Sequence, residues 1–293
     1  MFDASSSFLP WSPLHQSDEY ARTLAQVDAK TTRLADGTLV LQRRIRGFET
    51  AMLPRANISQ NSMLGLIRDS GMHKNLLVVT PDDPAPWLAN LGAVAVMSPS
   101  HVAHVDLSGD LEAQMHQKWR NRLRAAERQN LRITRQNLPV KPDNWILRHD
   151  GDQQKARRYK TWTDALTLAY AKANRGNAKL FTAFDGKTEV AAMLFLRHGD
   201  CATYHIGHTT DQGRATNAHN LLLWEAMTWL ASKGVTHLEL GQVDTETSPG
   251  LARFKLGVGA RVRPLGGTWL WWPPLGKALT PLKYLDRRAM SAR

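Results

Sequence analysis

Cysteine is nearly missing: Cys201 is the one thiol in 293 residues, so no internal disulfide can form and no cysteine-based zinc site is expected. It falls inside an apolar run, where a lone thiol packs as a small core side chain. Long apolar stretches are lacking too. Nothing approaches the roughly 18 uninterrupted apolar residues that a bilayer-spanning helix needs, so a membrane-spanning chain is not expected. Met1 to Pro10 has neither a basic stretch nor an apolar core, so no secretion signal is read there and the expected location is the cytoplasm. The rest of the composition is that of a folded protein. With 42% hydrophobic and 22% charged residues there is ample material for a core, and the length corresponds to about two domains at roughly 150 residues each.

Acidic residues are the scarcer charge, 26 against 38 Lys and Arg, for a net of +12. The excess is local. The window from Lys118 to Lys160 holds 13 basic and 4 acidic residues, or +9 of the total. A patch this dense attracts a polyanion: nucleic acid, a phosphorylated cofactor or an anionic membrane surface. A helix is expected over 110–131, capped by Ser108. Leu111, Met115, Trp119, Leu123 and Ala126 form its apolar stripe, and Arg120, Arg124 and Arg128 line the other face. Those arginines at i, i+4 spacing repel one another, and an anionic partner would remove that cost. Lys118, Arg120, Arg124 and Arg128 are therefore the candidate polyanion-binding residues.

The hydrophobic periodicity reads as α+β. Asp18 to Ala29 and Asn57 to Ser70 read as helices. Strands are expected near 38–47, 49–54, 75–79, 93–97 and 101–106. The Pro-flanked Leu138 to Pro142 connection divides the chain into lobes 1–140, which includes the linking helix, and 141–293. In the second lobe a helix over 152–173 precedes an antiparallel meander of strands at 178–185, 189–198 and 202–208. A loop at 209–214 then feeds a helix over 216–232 that is apolar nearly all round and so buried. A strand at 237–241, a short helix at 250–256 and closing strands up to Trp272 follow.

That order of elements resembles the GNAT (acyl-CoA N-acyltransferase) superfamily. Three local motifs are similar to those of its Fem-type aminoacyltransferase branch. They are Lys118-x-Arg120-Asn121-x-Leu123-Arg124-x-Ala126; Ala218-x-Asn220-Leu221-Leu222-Leu223-Trp224-Glu225-Ala226 followed by Gly234 and Leu238-Glu239-Leu240-Gly241; and Gly250-Leu251-x-Arg253-Phe254-Lys255-x-Gly257-x-Gly259. The resemblance implies two fused GNAT-like lobes, each a mostly antiparallel sheet flanked by helices. It also implies transfer of an acyl or aminoacyl group to a primary amine, with no tightly bound cofactor. The donor it implies is aminoacyl-tRNA in Fem enzymes and acyl-CoA in other relatives. Both stay open, because the long helical arm of some Fem enzymes is lacking and the 211–217 segment is a poor copy of the CoA-binding loop.

Amine acylation needs a neutral amine set against a carbonyl, a stabilised oxyanion and a route for the proton. The resemblance places Phe254 and Lys255 at the reacting carbonyl, and an ammonium there suits a developing oxyanion. Glu239, Asp244 and His205 are the candidate proton acceptors. Gln212, Gly213, Arg214, Ala215 and Asn217, leading into a helix N-terminus, are the candidate residues for the carrier's phosphates. By period-two spacing His205 and His208 point to opposite faces, and no metal is expected. Trp269, Trp271 and Trp272 followed by Lys277, Lys283, Arg287 and Arg288 suit a peripheral membrane contact, although alternating strand faces account for Trp269 and Trp271 equally well. The rival reading is a non-catalytic nucleic-acid-binding module in which the 118–160 window is the whole function.

Overall fold

The computed structural model describes residues 11–45, 47–141, 143–157 and 161–282. In chain order the elements begin with α1 (Asp18–Ala25), β1 (Thr31–Arg33), β2 (Leu39–Ile45), β3 (Phe48–Ala56), α2 (Gln60–Asp69), β4 (Leu76–Pro81), β5 (Val94–Met97) and β6 (His101–Asp106). Next come α3 (Gln117–Glu127), β7 (Leu131–Asn137), α4 (Trp145–Arg157), α5 (Asp164–Ala173), β8 (Ala178–Asp185), β9 (Thr188–His198) and β10 (Cys201–Thr209). The last are α6 (Asp211–Ala215), α7 (Ala218–Ser232), β11 (His237–Val243), α8 (Pro249–Gly257), β12 (Arg261–Pro264) and β13 (Thr268–Trp271). The fold is α+β, with two sheets of mixed strand direction.

Two units result, and the chain does not pass between them at 140. Among the described residues, the first holds 11–17, Asp28–Ser100 and 264–282; the second holds Asp18–Val27 and His101–Arg263. The basic helix expected in the N-terminal lobe therefore lies in the second unit. So does α1, which is fastened to α5 through the buried Asn174. The Asn174 amide donates to Glu19 O (3.0 Å) and its carbonyl oxygen accepts from Arg22 Nε (2.9 Å).

The first unit is a six-stranded sheet in the order β1-β2-β3-β4-β13-β5. Helix α2 starts at Ser59, whose Oγ accepts from Ser62 N, and stops before Gly71, where φ is +72°. Its Met63 and Ile67 pack in the core with Leu53, Leu77 and Trp271. Of the C-terminal tryptophans, Trp269 and Trp271 belong to this sheet, the strand explanation that the alternation offered. β13 lies between β4 and β5, with Trp269 opposite Val79 on one side and Ala95 on the other. Period two sends Trp269 and Trp271 to the same apolar face, where Trp271 is buried and Trp269 is half-buried against the core. Trp272 donates to Lys74 O (3.1 Å) and meets Phe48 edge-on. Lys283, Arg287 and Arg288 lie outside the described residues, as do Arg158 and Lys160 of the basic window.

The second unit is a seven-stranded sheet in the order β12-β6-β11-β10-β9-β8-β7. The stripe read from the sequence holds: Met115, Trp119, Leu123 and Ala126 are buried in one cluster with Phe181, Met193, Phe195 and the α7 residues Leu222, Ala226, Met227 and Leu230. Its first turn departs from expectation. Ser108 donates to Asp106 rather than capping a helix, Asp110 closes a turn onto Glu112 N and Ala113 N, and α3 proper begins at Gln117. The helix expected over 152–173 is two helices, because Asn144 Oδ1 accepts from Ile146 N to start α4 and Thr163 Oγ1 accepts from Leu166 N to start α5. Strand β7 is absent from the sequence reading. Its arginines hide the alternation of an edge strand, and Arg132 and Arg135 lie over the rings of Phe184 and Trp229.

Candidate functional site

The second unit contains a parallel pair joined by a buried helix, β10–α7–β11. Register between the two strands covers only Cys201↔His237, Ala202↔Leu238 and Thr203↔Glu239. Beyond that point the strands part. β10 stays with β9 as far as Thr209↔Ala191, and β11 stays with β6 as far as Val243↔His101. Each strand carries a bulge where the parting begins, at Tyr204/Ile206 and at Glu239/Gly241, and a bulge bends its strand and increases the local twist. The first unit has the same kind of crossover, β3–α2–β4, but zipped shut. Its register runs from Thr50↔Leu76 to Ala56↔Pro81, and the buried Arg55–Asp82 ion pair fastens the end. Among the described residues, the parallel pair of the second unit parts where that of the first stays paired to its end.

Lys255 projects from α8 onto the parted edge of β11. Its side chain is buried, with 5% of the residue exposed, and Nζ donates to Gln242 O at 2.7 Å. A Cβ at Gly241 would lie 3.8 Å from that nitrogen, so the strand backbone passes directly beside it. Burial pulls the ammonium down to about 8, with the Glu239 carboxylate opposing the shift. An ammonium has three N–H donors, and Gln242 takes one. Phe254, the preceding residue, accepts a hydrogen bond at its carbonyl from Trp119 Nε1 (3.1 Å), and its ring lies 6.0 Å from that of His219. The packing is close enough that a Cβ at Gly257 would sit 2.8 Å from Trp119 Cδ1, and His116 N donates to Gly257 O. The basic helix α3 thus holds the helix that carries Lys255.

The other candidates separate. Glu239 stays beside Lys255 at the start of the parting. Asp244 instead closes its own turn: Glu246 N, Thr247 N and Thr247 Oγ1 all donate to its carboxylate, and the bonds from Thr247 hold it below the usual carboxylate range. His205 bonds Thr167 Oγ1 (2.9 Å) and packs against Trp162, while His208 stacks on His149 at 4.1 Å beside Trp145. Both rings therefore turn toward the 145–173 stretch, contrary to the opposite faces expected from strict alternation, because His205 is itself the extra, unpaired residue of the bulge between Tyr204 and Ile206 and so falls out of the strand's alternation. His219, not singled out in the sequence, ties α7 to β10 through His208 O at 2.8 Å. Burial is the main cause that pushes both His208 and His219 down to about 4, so both rings are neutral near pH 7. A polar residue in the first turn of an otherwise apolar helix was the available signal for His219.

The segment expected to cradle phosphates is not an open loop. Asp211–Ala215 is a helical turn, and the 213–217 backbone is satisfied internally: Gly213 N donates to Thr210 Oγ1, Arg214 N to Thr210 O, Thr216 N to Gln212 O and Asn217 N to Arg214 O. The Arg214 guanidinium reaches Asp211 (2.7 Å) and Thr209 O (3.0 Å), and the Gln212 amide reaches Asp185. Gly213 is needed here because a Cβ would meet Val190 O at 2.2 Å. Asn217, at φ +53°, turns the chain into α7 without a side-chain cap. On α3, Lys118, Arg124 and Arg128 are exposed and Arg120 is half-buried. Arg120 and Arg124 lean back on the 110–115 turn, where Glu112 pairs with Arg124 at 3.2 Å.

A mostly antiparallel sheet with one parallel pair that opens around a buried crossover helix is the architecture of an N-acyltransferase lobe. Residues 113–256, within the second unit, match the family described as acetyltransferase (GNAT) domain. Solved structures share the fold across nearly the whole chain. FemX is similar at a TM-score of 0.72 with 14% identity, covering 91% of this chain and 94% of that one. The C-terminal domain of an Agrobacterium fabrum protein described as a lysylphosphatidylglycerol synthetase is similar at 0.57 with 14% identity, covering 94% and 93%. L-PGS from Bacillus licheniformis is similar at 0.56 with 12% identity and the same coverage. No curated protein matches the sequence. Among the described residues, no helix is long and apolar enough to cross a membrane.

Proposed function

We propose that the second unit transfers an aminoacyl group from a tRNA ester to a primary amine, with the ester carbonyl lying where β10 and β11 part and its oxygen on Lys255 Nζ. The amine nitrogen attacks the carbonyl carbon, the tetrahedral oxyanion takes up the N–H donors of Lys255 that Gln242 leaves over, and the C–O ester bond breaks. The proton shed by the nitrogen ends on the leaving hydroxyl. The observation that carries this reading is the buried ammonium 2.7 Å from the backbone of a strand that has left its parallel partner. Glu239 is the nearest candidate to balance that charge.

The internally satisfied backbone of 213–217 argues for tRNA over acyl-CoA. A pyrophosphate bound there would have to displace hydrogen bonds already made and approach the exposed Asp211 carboxylate. The resemblance to Fem-type enzymes and the exposed cations of α3 favour the same carrier. Parallel incubations with labelled aminoacyl-tRNA and labelled acyl-CoA, each with a panel of amines, test it. Amide product is expected from the tRNA ester alone. Product from acyl-CoA alone overturns the choice of donor, and product from neither overturns the transfer reading.

A further inference from the structure

At the other end of α7, Trp229 is surrounded by positive charge. Arg135 Cζ, Lys179 Nζ and Arg197 Cζ lie 4.9, 5.3 and 5.5 Å from the centroid of its ring, which Phe181 props edge-on at 6.0 Å. The three cations come from β7, β8 and β9, and register explains why they converge. Arg135 faces Phe181 and Lys179 faces Phe195 across neighbouring strands, and Arg197 follows two residues on. Lys233, just past the end of α7, adds a fourth positive charge whose field reaches Lys179.

No carboxylate offsets this group: among the described residues, Arg135, Lys179, Arg197 and Lys233 form no ion pair. Lys179 Nζ donates only to the neutral Asn137 Oδ1 (2.5 Å). Arg197 Nε is buried with no hydrogen-bond partner. Lys179 is held below the ordinary lysine range, by burial first and then by the neighbouring Arg135, Arg197 and Lys233. The indole face and the negative end of the helix dipole, worth about half a charge, offset part of the repulsion. A buried guanidinium N–H without an acceptor is costly besides.

We infer that Arg135, Lys179 and Arg197, held around Trp229, form a binding site for a phosphate-class oxyanion. Two guanidinium forks and an ammonium offer donors from several directions, which suits a compact group with three or four acceptor oxygens. The site is distinct from the Lys255 cleft. Trp229 is ten residues along α7 from His219, about 15 Å at 1.5 Å per residue. The inference does not depend on the transfer chemistry.

Calorimetric titration of the full chain with inorganic pyrophosphate at low salt tests it. Three variants accompany the wild type: Arg135→Ala at an exposed position, Arg135→Ala with Lys179→Ala, and the control Lys187→Ala, which removes an exposed charge elsewhere in the same unit. Circular dichroism melts check that each folds. Arg135→Ala should weaken binding about tenfold, as loss of one charge-assisted contact does, and the double change should abolish it while Lys187→Ala binds as wild type. Titration with tRNA in a second arm separates the sources. A parallel loss identifies a polynucleotide phosphate, and a loss confined to pyrophosphate identifies a free anion. If neither ligand distinguishes Arg135→Ala from Lys187→Ala, or neither binds, the site does not exist.

Discussion

On the proposed reading, Lys255 has opposite consequences for folding and for chemistry. Its pKa in the fold is about 8, against 10.5 for an ordinary lysine, so below about pH 8 the unfolded chain holds this proton more readily and the buried charge destabilises the native state. The penalty fades as pH rises from about 8 toward 10.5. Replacing Lys255 by Met keeps most of the stem and removes the charge. The variant should melt higher at pH 7, by an amount on the order of a few kcal/mol less the lost bond to Gln242, and the gap should close near pH 10.5; thermal melts across that range measure it. Turnover should fall by about 10²–10³, the usual loss for one oxyanion donor. The wild-type rate should also decline as the ammonium titrates through about pH 8. A variant that melts lower at pH 7 would contradict the desolvation argument.

At the scale of elements, the parting of β10 from β11 and the anchoring of α8 decide where that lysine sits. Bulges in both strands begin the parting, and Trp119 suspends α8 from α3 through Phe254 O. Trp119→Phe removes the indole donor from Phe254 O and leaves a partial cavity at a buried site, so stability should drop by about 2–4 kcal/mol. If α3 positions Lys255, kcat should fall well beyond what that loss explains, with KM for the carrier little changed, and the rate decline near pH 8 should shift. Steady-state kinetics on Trp119→Phe beside Gly257→Ala, whose Cβ would push on the same indole from below, separates positioning from simple loosening of the fold. Equal losses in kcat and in folded fraction would leave Trp119 a core residue and nothing more.

For the whole molecule the governing quantity is the net charge of +12 and its concentration in one window. Binding of tRNA should weaken linearly in log salt, and Arg120→Ala with Arg124→Ala should lessen the slope by up to about 1.8 if both reach phosphates, since each contact contributes about 0.9. A smaller change is expected for Arg124, which Glu112 already pairs. Filter binding between about 50 and 200 mM salt reads the slope. Much of this protein was open to pattern reading. The meander 178–208, the buried helix after it and the stripe on α3 depend on neighbours close in sequence, where alternation and helical spacing speak directly. Long-range pairing was out of reach of such reasoning. Local pattern cannot say that α1 docks in the second unit, that Trp269–Trp271 return to the first sheet, that Asp211–Ala215 closes on its own amides, or that a bulge turns His205 and His208 alike. The same local pattern is compatible with several partners, and only the burial and hydrogen bonding of the assembled chain choose among them.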